Sequence, residues 1–379
     1  MKTSSVPTAC FLGLLSLFFA SLGWVGHAKG EVLPSYETTD LGFLDCGLGL
    51  LCDSSTGVAI NEPGVIAGHV EVPDPHCEHA AIFRNGEWQD LGALGTTLGG
   101  TSQSQANDIN NRGQVVGGSN ISAPPPPTCC IARHAFIWDE VEGMVDLGNL
   151  GTNTQCFNSP SGQVCITSNF SEATAINDRG QVVGNTSTGT ASFVPFIWDE
   201  EGGMRDLSAS GLREAVDINN RGQIAGTTRS GHAAILDETG LHDLGTLEEG
   251  VPTSTARAIN NAGDVTGWSS IRVGTRSLLR GFLWRNGVME ALPPLPNDQF
   301  SQAFGMNDRG QVVGVSMGCN PNCTQHPVVW TGGDVIEIPG LDAFGFKTVT
   351  GINDRGQAVG IRQTAEAPFI SRGFRADPH

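Results

Sequence analysis

The sequence predicts an all-β chain folded as a seven-bladed β-propeller of four-stranded antiparallel blades. Two observations lead to this fold class. A short phrase, clearest between Ala175 and Gly184, returns through almost the whole chain, and most copies lie roughly 40 to 50 residues apart. A strand-like segment near the amino end, about Tyr36 to Leu44, also supplies the one element that the last copy lacks. Four short apolar runs in each repeat are typical of a propeller blade.

The amino-terminal residues resemble an export signal. Lys2 precedes a mostly apolar stretch from Cys10 to Val25, and the small residues Gly26 and Ala28 stand before a plausible cleavage point. We therefore predict a signal peptide at residues 1–28, a single propeller domain at residues 29–379, and a secreted protein that is extracellular or periplasmic. The alternative is a retained membrane anchor, although the apolar stretch is marginal for spanning a bilayer.

Each repeat begins with a predicted hairpin. Two apolar β-formers such as Ala175 and Ile176 precede Asn-Asp-Arg-Gly, and a second apolar run follows. Asn suits the first position of a type I turn, and Gly suits the left-handed position of a bulge-closed hairpin. The asparagine is therefore predicted to be a structural anchor in all seven copies, at Asn61, Asn110, Asn177, Asn219, Asn260, Asn307 and Asn353.

Two further strands complete each repeat. The third is apolar at successive positions, as in His134 to Trp138, which suits a strand covered on both faces. The fourth follows an acidic or glycine-bearing turn, as in Val145 to Gly148. The last repeat stops after its third strand, at Gly373 to Arg375. We expect the segment at about 36–44 to pair with that strand and to close the ring.

Composition excludes some partners. The formal net charge is −18 at pH 7, so phosphate backbones and anionic lipids would repel the protein. We therefore expect no nucleic-acid partner. After the predicted signal, no segment is long and apolar enough to span a membrane.

Alternate connections in such a blade lie at opposite ends. The tight Asn-containing turns share one end, the turn face, whereas the long irregular connections share the other, the loop face, where binding usually resides. Nine cysteines lie in or beside the long connections, and export predicts that they are oxidised. The predicted pairs are Cys46 with Cys52, Cys156 with Cys165, Cys319 with Cys323, and Cys77 with either Cys129 or Cys130.

A metal site is the alternative for some of these residues. The run His76-Cys77-Glu78-His79, or Cys319 with Cys323, contains metal-binding side chains. No paired motif with zinc-site spacing completes either group, and an oxidising compartment favours disulfides. We therefore predict neither a metal nor a cofactor.

The repeated residues resemble a known family. Asp-Leu-Gly, Ala-Ile-Asn-Asp-Arg-Gly-Gln-Val-Val-Gly and His134-Ala135-Phe136 together are similar to the bacterial extracellular HAF-repeat family, over about Tyr36 to Ala376. The resemblance implies export and a propeller-like fold, and it implies no established activity. The first, fourth and seventh repeats depart from the tripeptide.

Two sets of recurring residues invite a chemical interpretation. Third strands open with His79, His134, His232 and His326, and fourth strands carry Asp40, Asp90, Asp146, Asp206 and Asp243. Imidazoles could bind metal or anions, and carboxylate pairs can cleave glycosides. Because both sets recur from blade to blade, a structural role is favoured, with each histidine donating a hydrogen bond to an Asp or Asn of a neighbouring strand.

Trp268 differs from these residues because it does not recur. It follows a second strand on the loop face, where other repeats have small or polar residues. An exposed Trp would stack on a sugar ring, and burial beneath a loop is the alternative. The candidate ligand-binding residues are Trp268, His76, His79 and His134. No catalytic residue is predicted, because the nucleophile-elbow match at Gly314 to Gly318 lacks the required helix.

The leading functional hypothesis is an exported module, more a binder than an enzyme, that binds a surface glycan or an envelope protein through the loop face. One alternative is a secreted polysaccharide hydrolase or lyase, and another is a structural module of the envelope. A non-repeating pair of acids or histidines in the central channel would favour the enzyme.

Overall fold

The computed structural model describes ten stretches of the chain. They are residues 33–46, 52–73, 77–96, 101–122, 129–159, 162–189, 193–319, 323–341, 345–364 and 370–379. The predicted signal peptide at residues 1–28 lies outside them. The helix among the described residues, Ser208–Ser210, has a single turn, so none of these residues belongs to a membrane-spanning helix.

The described residues form an all-β propeller, which confirms the predicted fold class at that level. Five blades are separate sheets of four antiparallel strands. In chain order, the strands of these blades begin with β1 (Tyr36–Asp40), β2 (Ser55–Ile60), β3 (Ile66–Val72), β4 (Cys77–Arg84) and β5 (Glu87–Asp90). The next nine strands along the chain belong to another sheet. The separate blades continue with β15 (Leu212–Ile218), β16 (Ile224–Thr228), β17 (Ala233–Asp237), β18 (Gly240–Asp243), β19 (Ser254–Ile259), β20 (Val265–Val273), β21 (Arg276–Arg285), β22 (Val288–Leu292), β23 (Phe300–Met306), β24 (Val312–Cys319), β25 (Cys323–Thr331), β26 (Asp334–Glu337), β27 (Lys347–Ile352), β28 (Ala358–Gln363) and β29 (Ser371–Pro378).

The second and third repeats share one nine-stranded sheet. Its strands are β6 (Ser104–Ile109), β7 (Val115–Asn120), β8 (Cys129–Asp139), β9 (Gly143–Asp146), β10 (Asn153–Ser159), β11 (Gly162–Ile176), β12 (Val182–Ser187), β13 (Phe193–Asp199) and β14 (Gly203–Asp206). The two repeats are joined by a parallel pairing of β8 with β11, from Cys129 opposite Ile166 to Arg133 opposite Phe170.

The prediction of seven separate four-stranded blades is therefore wrong: five are separate, and a nine-stranded sheet replaces the others. The cause is the connection expected to be irregular at residues 149–172. Its residues instead form the hairpin of β10 and β11, with Cys156 opposite Cys165. Because β11 is 15 residues long and β8 is 11 residues long, both extend past their own repeats and reach each other.

The amino-terminal strand completes the carboxyl-terminal sheet. β1 pairs antiparallel with β29, from Tyr36 opposite Pro378 to Asp40 opposite Phe374. The order of that sheet is β1-β29-β28-β27. First strands of successive repeats contact one another around the central axis, and β27 contacts β2, so the ring is closed.

The turn that follows each first strand is held by its asparagine. In the third repeat, Asn177 Oδ1 accepts hydrogen bonds from the N–H groups of Arg179 and Gln181, both at 3.0 Å. Gly180 has φ 80°, a left-handed conformation that favours glycine, and its N–H donates to the carbonyl of Asn177 at 3.0 Å. The amide nitrogen of Asn177 donates to Gln181 Oε1 at 2.9 Å. The side chain therefore fixes the turn from both of its ends.

The same amide nitrogens also link the repeats. Asn177 Nδ2 donates to the carbonyl of Asn219 in the next repeat at 3.0 Å. Each of the seven asparagines does the same, at 2.9–3.4 Å, and the last donor returns to the first residue. The order is Asn61 to Asn110, Asn177, Asn219, Asn260, Asn307, Asn353 and back to Asn61. We call this closed set the asparagine ring.

The hydrophobic core lies between neighbouring repeats. One cluster joins Ala67 and Ile82 of the first repeat to Phe136 and Trp138 of the second. Phe136 and its equivalents Phe196, Phe282 and Phe374 are among the largest fully buried side chains. The aromatic residue of the third strand therefore packs one repeat on another.

Two of the predicted disulfides are confirmed, Cys46–Cys52 and Cys319–Cys323. Cys77 is buried. The side chains of Cys129, Cys130, Cys156 and Cys165 lie outside the described part of the structure, so their pairings stay predictions.

We expect Asn177→Ala to lower the free energy of unfolding by roughly 2–4 kcal/mol, since it removes several buried hydrogen bonds at about 1 kcal/mol each. Chemical denaturation measures the change. The control is Arg179→Ala, in the same turn but exposed, with an expected change within about 0.5 kcal/mol. Equal effects of the two substitutions would show that the ring contributes nothing.

We also expect a chain that begins at Leu44, without β1, to melt lower by more than about 4 °C. It loses the pairing with β29 together with the buried side chains of Tyr36 and Leu41, which are 5% and 4% exposed. A chain that begins at Leu33 keeps β1 and should melt like the full-length protein. Thermal unfolding followed by circular dichroism compares the two chains, and equal melting temperatures would contradict the closing role.

Candidate functional site

The central channel is lined by residues that every first strand places at a β-bulge. In each repeat the register between the first and second strands shifts at one equivalent position, as between Ala106 and Asp108. A bulge leaves one extra residue unpaired and re-aims its side chain. The extra residues are Val58, Asn107, Thr174, Val216, Arg257, Phe304 and Thr350, and all of them line the channel.

A layer of apolar side chains divides the channel. It consists of the residues just before the ring asparagines: Ile60, Ile109, Ile176, Ile218, Ile259, Met306 and Ile352. A pocket of about 220 Å³ lies on the side of the asparagine ring, and a larger cavity of about 500 Å³ lies on the loop-face side. We call the larger cavity the chamber.

Two carboxylates in the chamber break the repeat. Asp108 and Asp217 occupy a position that is Ala or Gly in every other repeat. Asp108 accepts hydrogen bonds from the N–H groups of Ile109 at 2.8 Å and Ile176 at 2.9 Å. Asp217 likewise accepts from Ile218 and Ile259, both at 2.7 Å. Each carboxylate therefore joins its own first strand to the next one.

The two carboxyl groups are expected to differ in charge at neutral pH. Burial raises the pKa of Asp108 to about 8, and the nearby charge of Asp217 adds to this effect, while the backbone N–H bonds oppose it. Burial raises the pKa of Asp217 to about 6, again against its two backbone hydrogen bonds. At pH 7, Asp108 is then mostly protonated and Asp217 mostly ionised.

Arg257 is the cationic group of the chamber. Its guanidinium carbon lies 4.7 Å from the ring centroid of Trp268, in a cation–π contact. Burial lowers its pKa, opposed by the charge of Glu214, but an arginine remains charged in a protein. Within the described ranges the guanidinium donates no hydrogen bond, so its N–H groups can serve a ligand.

Trp268 lies beside the chamber, between two repeats. Its ring meets that of Phe304 edge to face, with centroids 5.8 Å apart. It is half-buried, so its position lies between the two alternatives that the sequence left open. Its contact with Arg257 connects the predicted ligand-binding residue to the channel.

The histidines that open the third strands are hydrogen-bonded within the protein. His79 Nδ1 lies 3.0 Å from Asp90, and its Nε2 lies 2.8 Å from Ser102 Oγ. His134 Nδ1 lies 2.9 Å from Asp146, and its Nε2 lies 3.0 Å from Asn169 Oδ1. Burial lowers the pKa of His134, but the bonds to Asp146 and Asn169 outweigh burial and raise it. Both nitrogens of each ring are therefore occupied, as a structural role requires.

Neither histidine is brought to the chamber, and ligand binding by either residue stays a prediction. His76 lies outside the described residues. Across the part of the chain that the structure describes, no three His, Cys, Asp or Glu side chains are grouped to hold a metal ion.

A second polar cluster lies between the second strand of the first repeat and the first strand of the third. Glu172 accepts hydrogen bonds from Arg133 Nε at 2.6 Å and from Asn107 Nδ2 at 3.0 Å. Gln105 bridges Arg133 and Glu78. His69 lies near the charges of Glu78 and Arg133, and its buried Nδ1 has no hydrogen-bond partner among the described residues. The cluster is connected to the chamber through Asn107.

Sequence reasoning missed the chamber residues. The signal for Asp108 and Asp217 was present, because an acid replaces Ala or Gly in only two copies of the phrase. The bulge that turns Arg257 and Phe304 toward the channel has no such signal, since the register of two strands is not visible in one of them.

Comparisons with known proteins give a distant likeness only. No family model matches the chain, and no curated protein matches it. Among solved structures, AofleA from Arthrobotrys oligospora is similar at 12% identity and a TM-score of 0.35, over 86% of this chain and 95% of that chain. A triple arginine-to-alanine mutant of AofleA gives 11% identity and a TM-score of 0.36, over 93% and 90%. Values this low carry no argument about ligand or activity.

We expect the stability of the protein to depend on pH through Asp108. Its folded-state pKa of about 8 lies above the unfolded value near 4, so between these values the folded state holds a proton that the unfolded state lacks. Stability should then fall as the pH rises through this window, by up to about 1.4 kcal/mol per pH unit.

Asp108→Ala introduces the residue of other repeats and should remove the slope between about pH 6 and pH 8, whereas Asp217, with its pKa of about 6, keeps a slope below that range. Denaturant unfolding at intervals from pH 5 to pH 9 measures it. Glu200→Ala, at an exposed turn, serves as the control and should keep the wild-type slope. A slope in Asp108→Ala equal to that of the wild type would contradict the assignment.

Proposed function

We propose that the protein is an exported binding module that takes a sugar unit of a glycan into the chamber. The observation that carries the proposal is the guanidinium of Arg257, which lies in the chamber over Trp268 without a hydrogen-bond partner among the described residues. Arg257 is half-buried and lines the chamber, so its N–H groups are open to a ligand there. A ligand that accepts hydrogen bonds supplies the partner that the protein does not.

The other chamber groups favour a hydroxyl-rich ligand. A protonated Asp108 can donate and an ionised Asp217 can accept, so groups that do both, such as sugar hydroxyls, are suited to the site. Phe304 and Val216 supply apolar surface for the carbon face of a ring. A volume of about 500 Å³ lies within the usual range of ligand pockets.

Export is part of the proposal. Two disulfides, Cys46–Cys52 and Cys319–Cys323, are typical of an oxidising compartment, extracellular or periplasmic. The predicted signal peptide and the resemblance to the HAF-repeat family support the same destination. A surface glycan is the partner that such a protein would meet there.

Cleavage of the glycan is the second candidate function. Asp108 and Asp217 are the non-repeating acids in the channel that would favour an enzyme, and their pKa values of about 8 and about 6 suit an acid and a base. Against this role, each carboxylate bridges two backbone N–H groups and so serves the ring, whereas binding needs only the lone pairs that these bonds leave unused. Binding therefore remains the better-supported function.

The test is a glycan array probed with disulfide-intact protein that begins at Lys29. We expect a discrete set of bound sugars, and Arg257→Ala should weaken the binding of those held in the chamber about tenfold or more, as loss of a charged hydrogen-bond donor does. Arg276→Ala, an exposed arginine on the loop face, is the matched control and should bind as the wild type does. Arg257→Ala with wild-type binding and an unchanged melting temperature would refute the site.

Incubation of each bound sugar with the protein separates the two candidate functions. New reducing ends that disappear in Asp217→Ala would support cleavage. Intact sugar after prolonged incubation would leave binding as the function.

A further inference from the structure

The Asp of the fourth strand pairs with a basic side chain in several repeats, and the third repeat lacks this ion pair. The carboxylate of the fourth-strand Asp lies beside a basic side chain at 2.6–3.0 Å in the pairs His79–Asp90, His134–Asp146, His232–Asp243 and Arg362–Asp40. In the third repeat the equivalent acid is Asp206, and Val194 stands where the histidine would be. No basic side chain within the described ranges pairs with Asp206.

The same repeat departs from the pattern at a second place. Elsewhere the Asp-Leu pair is followed by a glycine with positive φ, as in Gly92 and Gly148. After Asp206 and Leu207 comes Ser208, which begins the 3-10 helix Ser208–Ser210, and β15 starts at Leu212. This connection is short, so it does not cover the space beside Asp206 that a histidine side chain fills in other repeats.

The two departures meet at one pocket on the loop face. It has a volume of about 570 Å³ and is lined by Asp206, Phe193, Arg213 and Arg229, among others. Phe193 is 60% exposed and is held by an edge contact with Phe170, whose ring centroid lies 5.2 Å away. Arg229 Nη2 donates to the carbonyl of Ser208 at 3.1 Å, which holds its guanidinium against the connection that follows Asp206.

The charges of the pocket indicate the class of ligand. Two guanidinium groups and the carboxylate of Asp206 line the pocket, and Glu214, which lies outside the lining, offsets the charge of Arg213 from 3.7 Å. A site without net charge favours a neutral ligand, and adjacent donors and acceptors suit vicinal hydroxyls. An exposed aromatic ring suits the apolar face of a sugar.

We propose that this pocket, between the third and fourth repeats, is a second sugar-binding site, specific for a neutral monosaccharide unit. Asp206 accepts hydrogen bonds from two hydroxyls, Arg213 and Arg229 donate to others, and Phe193 packs on the ring. The site extends the proposed glycan-binding function but is separate from the chamber, so each site can be removed without the other.

The probes are methyl glycosides of neutral hexoses and the corresponding hexuronic acids, with affinity measured by calorimetry. In the Arg257→Ala background, which removes the chamber, a neutral glycoside should still bind, and the acids should bind more weakly. Adding Val194→His should restore the repeated pair with Asp206, fill the pocket and weaken binding about tenfold or more. Val273→His, which adds an imidazole at an exposed position of the loop face outside the pocket, is the matched control and should bind as before.

The outcomes separate the two sites. Unchanged affinity on adding Val194→His, at an unchanged melting temperature, overturns the pocket. Loss of all binding in Arg257→Ala overturns the pocket and leaves the chamber. Loss of all binding in Val194→His alone, with binding kept in Arg257→Ala, supports the pocket and overturns the chamber. A wild-type protein that binds none of the glycosides overturns the pocket as a monosaccharide site.

Discussion

The amide of one asparagine in each repeat is the interaction on which the architecture depends. Its oxygen holds the turn of its own repeat, and its nitrogen donates to the turn of the next, as Asn177 does with Arg179 and Asn219. Local conformation and long-range assembly therefore rest on the same atoms. Because every repeat uses the same contact, all first strands enter the ring at one height. The bulges consequently fall at one level and form a single chamber.

The chemistry of the protein lies in the exceptions to its repeat. A residue needed in every blade serves the blade, as His79 and Asp90 do when they pair with each other. Asp108, Asp217, Arg257 and Val194 each differ from their equivalents, and each lies in a cavity. In a closed ring of similar repeats, a site that differs from its equivalents requires residues that depart from the common pattern.

The sequence predicts what is local and repeated. The Asn-Asp-Arg-Gly turns, the buried Phe136 and the short-range disulfides follow from residue types a few positions apart. The nine-stranded sheet does not, because the parallel pairing of β8 with β11 depends on how far two strands extend in space. Most of the hairpin of β10 and β11 lies within residues 149–172, which were expected to be an irregular connection, although Val164 and Ile166 are good β-formers.

The site was predictable only in part, for a related reason. Trp268 was proposed as a ligand-binding residue because it is unlike its equivalents, and that role stays a prediction; Asp108 and Asp217 carry the same kind of signal. That these three residues lie close to Arg257 and Phe304 depends on the bulges of the first strands and on the order of repeats around the axis. Those are properties of the closed ring, and no single repeat contains them.

The seam at β1 and β29 has a kinetic consequence. Every other sheet is built from strands that follow one another along the chain, whereas this one joins opposite ends of the described sequence. A closed ring has no terminal repeat from which fraying can spread, so opening must separate two neighbouring interfaces at once. The barrier to opening is lowest where no covalent connection holds the strands together. We therefore expect the lifetime of the folded protein to be set at this seam, whose sheet also supplies Thr350 and Ile352 to the chamber.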